Sequence, residues 1–161
     1  MIYTNKDEYL KELIEKYSDM VYRLAMSRTR NREMSDDVYQ EVFLRLARKL
    51  PDFENEAHEK AWLIKVTINC SKNILGSSFL KNTTELSENL AIEDEERHEV
   101  YYAVLGLPLK YRTIIHLFYY EGYKIEEISK MLHINVNTVK SQLSRAREQL
   151  KVKMEGGFGD E

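Results

Sequence analysis

The chain has 161 residues, 43% hydrophobic and 32% charged, with a net charge of −3 and a mean hydropathy of −0.54. That length fits one medium domain or two small ones, and no apolar run reaches the roughly 18–20 residues that a membrane helix needs. A single cysteine, Cys70, excludes an internal disulfide and a cysteine-rich zinc site, and two prolines with six glycines argue against an all-β chain. The first residues, 1–8, do not have the basic-then-apolar pattern of a leader, and none is expected. The expectation is a cytoplasmic, mostly helical protein with no membrane insertion.

Charge is unevenly spread. Residues 1–75 are balanced, with 13 basic and 13 acidic side chains; residues 76–100 carry 2 basic and 7 acidic; residues 101–161 carry 9 basic and 7 acidic. Within 136–153 there are five basic side chains and one acidic. A balanced head, an acidic middle and a basic final helix predict two modules on a polar linker.

In chain order, Leu10, Leu13, Ile14, Tyr17, Met20, Val21, Leu24 and Ala25 recur at three- and four-residue steps, which predicts a helix over about 6–29. Ser35 is expected to cap a second helix, with Asp36 and Asp37 in its positive first turn and Pro51 stopping it. A loop over 52–59 precedes a third helix, about 60–75, with Gly76 expected to close it. Lys65, Asn69, Lys72 and Asn73 form one polar stripe without carboxylates on that otherwise apolar helix. Residues 77–96 read as a flexible acidic linker.

The second module is expected over 97–155, with a frayed tail at 156–161. Pro108 suits a helix start, and Tyr111 and Tyr119 are expected in its core with wet hydroxyls. Two final helices, 125–132 and about 136–153, flank His133-Ile134-Asn135. Ile128, Leu132, Ile134, Val139 and Leu143 have the inward spacing of a helix-turn-helix. The outer face of the last helix carries Asn137, Thr138, Lys140, Ser141, Gln142, Ser144, Arg145 and Arg147, with no carboxylate before Glu148. Such a face can enter a major groove, read base edges and grip phosphates.

The whole chain resembles the extracytoplasmic-function (ECF) sigma factors of bacterial RNA polymerase, in the sigma-70 family. Three stretches carry the resemblance: Ser35-Asp36-Asp37-Val38-Tyr39-Gln40-Glu41-Val42-Phe43-Leu44-Arg45 is similar to the family's core-binding helix, Ala61-Trp62-Leu63-Ile64-Lys65-Val66-Thr67-Ile68-Asn69 to its promoter-melting helix, and residues 137–148 to its recognition helix. The resemblance implies an all-α protein. Its region 2 module, 1–76, docks on core RNA polymerase through Asp37, Gln40, Glu41, Phe43 and Leu44. Lys65, Asn69, Lys72 and Asn73 of the same module meet single-stranded minus-ten DNA, and the loop at 53–59 borders a pocket for a flipped base. The region 4 module, 97–155, is implied to bind minus-thirty-five duplex through Asn137, Thr138, Lys140, Ser141, Ser144, Arg145 and Arg147. An anti-sigma factor is a further partner that the family implies. An asparagine amide can meet an exposed Watson–Crick edge with donor and acceptor together, and lysines beside it attract the backbone.

No histidine, nucleophile or glycine-rich loop accompanies Asp36, Asp37 and Glu41, so neither catalysis nor a cofactor is expected. The four histidines share no ligand spacing, so no metal site is expected either. Cys70 reads as a small buried residue. The alternative reading is an autonomous helix-turn-helix regulator, which would find palindromic half-sites as a dimer.

Overall fold

The structure, a computed structural model, describes residues 2–79 and 95–158, with side chains described over 5–77 and 99–155. Every regular element among the described residues is helical: α1 (Ile2–Thr29), α2 (Arg32–Lys49), α3 (Glu56–Phe79), α4 (Glu95–Leu105), α5 (Leu109–Ile115), a π-helical turn (His116–Tyr120), α6 (Ile125–Leu132) and α7 (Val136–Phe158). The chain divides into two compact units, Met1–Glu88 and Asn89–Glu161. Most of the expected linker, 80–94, lies outside the described residues; α3 runs through 77–79 and α4 starts at Glu95.

In the first unit α1, α2 and α3 pack on one another pairwise. Leu13, Val21 and Leu24 of α1, Val38, Val42 and Leu46 of α2, and Leu63, Ile64 and Ile68 of α3 are buried in this unit. Each such side chain contributes about 1.5–3 kcal/mol when withdrawn from water. The α1 stripe is the one its periodicity predicts.

Three boundaries differ from expectation. The loop expected over 52–59 is shorter, because α3 begins at Glu56 and 56–59 form its first turn. Ser35 does not cap α2. Asn31, in extended conformation, caps it by accepting the Met34 N–H on Oδ1 at 2.9 Å. The helix therefore begins a turn earlier, and the buried Ser35 hydroxyl bonds Thr29 Oγ1 at 2.8 Å, joining the end of α1 to α2. Gly76 does not close α3. It lies within the helix, which continues three residues to Phe79, with open space where a Cβ would project. At the end of α2, Leu50 takes the left-handed conformation and donates its N–H to Leu46 O at 2.7 Å, and Pro51 comes next.

In the second unit α4 and α5 pack against α7, and α6 packs against α7. Leu107, Tyr111, Ile114, Leu117, Ile128, Val139, Leu143 and Ala146 make its core. Pro108 caps α5 as expected. The next turn widens to π geometry, with Glu121 N–H donating to His116 O at 3.0 Å. A π turn holds one more residue than an α turn, so the residues beyond the insertion are rotated by about 100°. Tyr119, expected in the core, lies within this turn and is 54% exposed. His116 and Glu121, both buried, close the turn with an Nε2–Oε2 contact of 2.9 Å. Gly122 then leaves the helix with φ of 74°. The tail expected to fray at 156 is helical through Phe158, and 159–161 lie outside the described residues.

Candidate nucleic-acid interface

The helix-turn-helix forms as its spacing predicts. Lys124 N–H donates to Glu127 Oε1 at 2.9 Å at the start of α6. His133 ends α6 in the left-handed region (φ 56°, ψ 42°), its N–H donating to Ser129 O. The Ser129 hydroxyl donates to Ile134 O across the turn. Asn135 then opens α7: its Oδ1 accepts both the Thr138 N–H at 2.7 Å and the Thr138 hydroxyl at 2.9 Å. Both ends of the turn are satisfied locally, so α7 can pack on α6 through Val139 and Leu143 and leave its outer face to solvent.

On that outer face Asn137, Lys140, Ser141, Ser144, Arg145 and Arg147 are exposed, while Thr138 is half-buried. Two of the seven expected residues have further work inside the unit. Thr138 spends its hydroxyl on the Asn135 cap. Arg147 donates from Nε to Tyr119 Oη at 2.6 Å. The remaining five hold a donor-rich, carboxylate-free surface on the first three turns of α7.

In the first unit, Lys65, Asn69, Lys72 and Asn73 are all exposed along one side of α3. The opposite side is core, with Leu63, Ile64, Thr67, Ile68 and Cys70 buried. Cys70 is thus the small buried residue expected, and burial pushes its thiol pKa up. Within the loop before α3, Phe53 stacks edge-to-face on His58 at 5.1 Å and on Trp62 at 5.8 Å. His58 Nδ1 accepts the Glu54 N–H at 3.1 Å, and His58 N–H donates to Asn55 Oδ1 at 2.9 Å. The loop is a built turn rather than a loose strand of acidic residues.

The α2 residues divide. Asp37, Gln40 and Leu44 are exposed on one face, Leu44 at 50%. Glu41 is half-buried and paired with Arg45 at 3.0 Å. Phe43 is buried and packs edge-on to Tyr39 at 4.9 Å, so it belongs to the bundle, not to an outward face. An exposed leucine flanked by acid and amide groups offers an apolar contact with a polar rim.

Sequence reasoning missed the group that ties α3 to α1. Glu59 is buried; it accepts from Tyr9 Oη at 2.8 Å and Tyr17 Oη at 2.9 Å, with Lys16 Nζ 3.6 Å away. Burial, aided by these bonds to the carboxylate, pushes both tyrosine hydroxyls up to about 12. Lys16 also pairs with Glu56 at 2.7 Å, which lowers the Glu56 pKa. Among the described residues no group of three His, Cys, Asp or Glu side chains is placed to hold a metal ion, and no helix is long and apolar enough to cross a membrane.

Comparison with known proteins agrees with this geometry. Residues 13–77 match the sigma-70 region 2 family and residues 97–150 match sigma-70, region 4. The ECF RNA polymerase sigma factor SigE of Mycolicibacterium smegmatis is 28% identical over 153 residues, spanning 87% of this chain; this chain spans 59% of SigE. The ECF RNA polymerase sigma factor SigW of Bacillus subtilis is 26% identical, with 87% of this chain and 86% of SigW covered. Among solved structures, the sigma factor RpoE of Bartonella quintana, in complex with the anti-sigma factor NepR, superposes with a TM-score of 0.72 at 21% identity, covering 90% of this chain and 96% of that one. CnrH, in complex with the cytosolic domain of CnrY, gives 0.66 at 20% identity, covering 93% and 90%.

Two helical units, each matched to its own sigma region in the family's order, define a specificity factor for transcription initiation, a class without catalysis of its own. The chain belongs to the sigma-70 family and is an ECF sigma factor, which directs promoter-specific initiation by RNA polymerase.

Proposed function

We propose that this chain docks on core RNA polymerase through the Asp37, Gln40 and Leu44 face of α2, with Glu41 beside it. The side of α3 that bears Lys65, Asn69, Lys72 and Asn73 then takes the minus-ten strand, and α7 takes the minus-thirty-five duplex through Asn137, Lys140, Ser141, Ser144 and Arg145. The observation that carries this reading is the pair of carboxylate-free, donor-rich helix faces, one on each unit. An autonomous regulator needs one such face, repeated by dimerisation. A chain that must hold duplex and opened strand at once needs two. The net charge of −3 fits weak binding to DNA without polymerase, and the linker supplies effective concentration for the second contact once the first has formed. By analogy with RpoE and CnrH, whose structures contain NepR and a CnrY domain, the proposal extends to an anti-sigma partner for this chain.

Co-purification with bacterial core polymerase, combined with sequencing of the DNA that the complex opens, tests the reading. Stoichiometric binding and a two-part upstream motif are expected. Specific duplex binding by the isolated chain, without polymerase association, would replace it with the autonomous regulator.

A further inference from the structure

We infer that Tyr119 is a positioning residue for Arg147, holding its guanidinium as a preset phosphate contact at the edge of the recognition face. The inference rests on the reading of α7 as the duplex-binding helix.

Three observations converge on Arg147. Its Nε donates to Tyr119 Oη at 2.6 Å. Its guanidinium carbon lies 5.4 Å from the Phe118 ring centroid and 5.5 Å from that of Tyr119, within the range of cation–π attraction. Those two rings stand edge-to-face at 4.9 Å. An exposed arginine ordinarily samples many rotamers, and ordering it at a phosphate costs much of that freedom. Here the cost is met within the folded unit, before DNA arrives.

The position of Arg147 suits a phosphate and not a base edge. Recognition helices read bases from their N-terminal residues. Arg147 lies about 16 Å along α7 from Val136 at 1.5 Å per residue, well past those N-terminal residues. Lys140, Arg147 and Lys151, all exposed, recur at seven and four residues and so run along one side of the helix, beside the line of Asn137, Ser141 and Arg145. With Nε already engaged, the Nη donors of Arg147 can turn to a phosphate oxygen.

The π-helical turn carries both rings. Phe118 and Tyr119 belong to it, and Tyr119 is exposed there. The buried His116–Glu121 contact holds that turn in place.

The test uses holoenzyme assembled with core polymerase and duplexes selected from a randomised promoter pool, titrated with potassium chloride. Arg147→Ala is expected to weaken all duplexes by about the same factor, near tenfold, and to lower the slope of log affinity against log salt by about one. Tyr119→Phe keeps the ring and loses only the hydroxyl. It is expected to weaken binding about three- to fivefold where Arg147 is present and to have no effect in the Arg147→Ala background. Equal losses from Tyr119→Phe in both backgrounds would show a structural role and overturn the inference, as would no loss in either. A change of preference at one base pair in Arg147→Ala would make Arg147 a base reader and also overturn it. If Arg145→Ala and Arg147→Ala both leave affinity unchanged, the duplex reading itself fails, whereas a loss from Arg145→Ala alone removes only this inference.

Discussion

Tyr17 and Glu59, 42 residues apart in the chain, meet at 2.9 Å inside the first unit, with the hydroxyl of one donating to the buried carboxylate of the other. Tyr9 donates to the same carboxylate from about two turns earlier in α1. The contact fixes the first turn of α3 against α1 and so sets where the helix, and the stripe bearing Asn69, begins.

Glu59→Ala should destabilise the first unit by about 2–4 kcal/mol, because Tyr9 loses its carboxylate acceptor, Tyr17 keeps only the Glu56 carbonyl at 3.4 Å, and a hole opens where α3 meets α1. Glu59→Gln retains an acceptor oxygen and should lose less. Trp62, the sole tryptophan, lies in this unit, so urea melts monitored by its fluorescence read this unit. Equal stability of Glu59→Ala and wild type would refute the role.

The same tyrosines predict an alkaline limit. Their hydroxyls titrate near 12 when folded, against 10.0 ordinarily, chiefly because burial disfavours the phenolate. Between these values the unfolded chain has lost protons that the folded chain keeps, so stability falls as pH rises through that window and is unaffected below it. Melts from pH 8 to about 12 should show the decline, and the Tyr9→Phe/Tyr17→Phe double variant should lose that part of it. An unchanged slope in the double variant would assign the decline elsewhere.

Asn69→Ala should leave polymerase binding intact and reduce open-complex formation about tenfold, within the range of a lost amide–base pairing at about 1–3 kcal/mol. Asn69 is exposed on a helix whose core side is untouched by the change, so the fold should persist. Permanganate footprinting of the minus-ten region measures the effect. Wild-type opening by the variant would remove Asn69 from the single-strand interface.

Arg145→Ala should cost about 1–3 kcal/mol on the selected duplex and much less on random sequence, which distinguishes base reading from charge. Arg145 is exposed on the line of Asn137 and Ser141, apart from the side that carries the tethered Arg147 and two residues nearer the start of the helix. Competition binding by holoenzyme on selected and scrambled duplexes gives the ratio, and equal losses on both would leave Arg145 a phosphate contact.

His133 occupies the left-handed region at φ 56°, where a Cβ is crowded and glycine is at ease. His133→Gly should stabilise the second unit by about 0.5–1 kcal/mol and His133→Val should destabilise it by more, because a branched side chain fits that region worst. Thermal unfolding by circular dichroism orders the three; a glycine variant less stable than wild type would mean that the imidazole contributes beyond its backbone.

The helical periods of α1, α6 and α7, the polar stripe of α3 and the helix-turn-helix were legible in the sequence, because each is a short-range pattern of apolar and polar residues. Residue order along a helix determines which side chains share a face, and one face must bury itself. The resemblance to ECF sigma factors was legible for the same reason, since its three motifs lie within single helices. Only tertiary structure decided the rest. Asn31 in place of Ser35 as cap depended on where the chain leaves α1, a matter of how two helices pack. Phe43 lies within the bundle, against Tyr39, because α2 turns that side toward its neighbours. Glu59 looks like one more surface acid in an acidic loop until Tyr9 and Tyr17 arrive from far along the chain. Tyr119 reads as core from its apolar neighbours, yet it stands exposed in a π turn that no local pattern announces and meets Arg147 from the far end of the unit's sequence. Periodicity is dictated by covalent neighbours; caps, buried polar partners and a one-residue change of helical register depend on neighbours brought together only by folding.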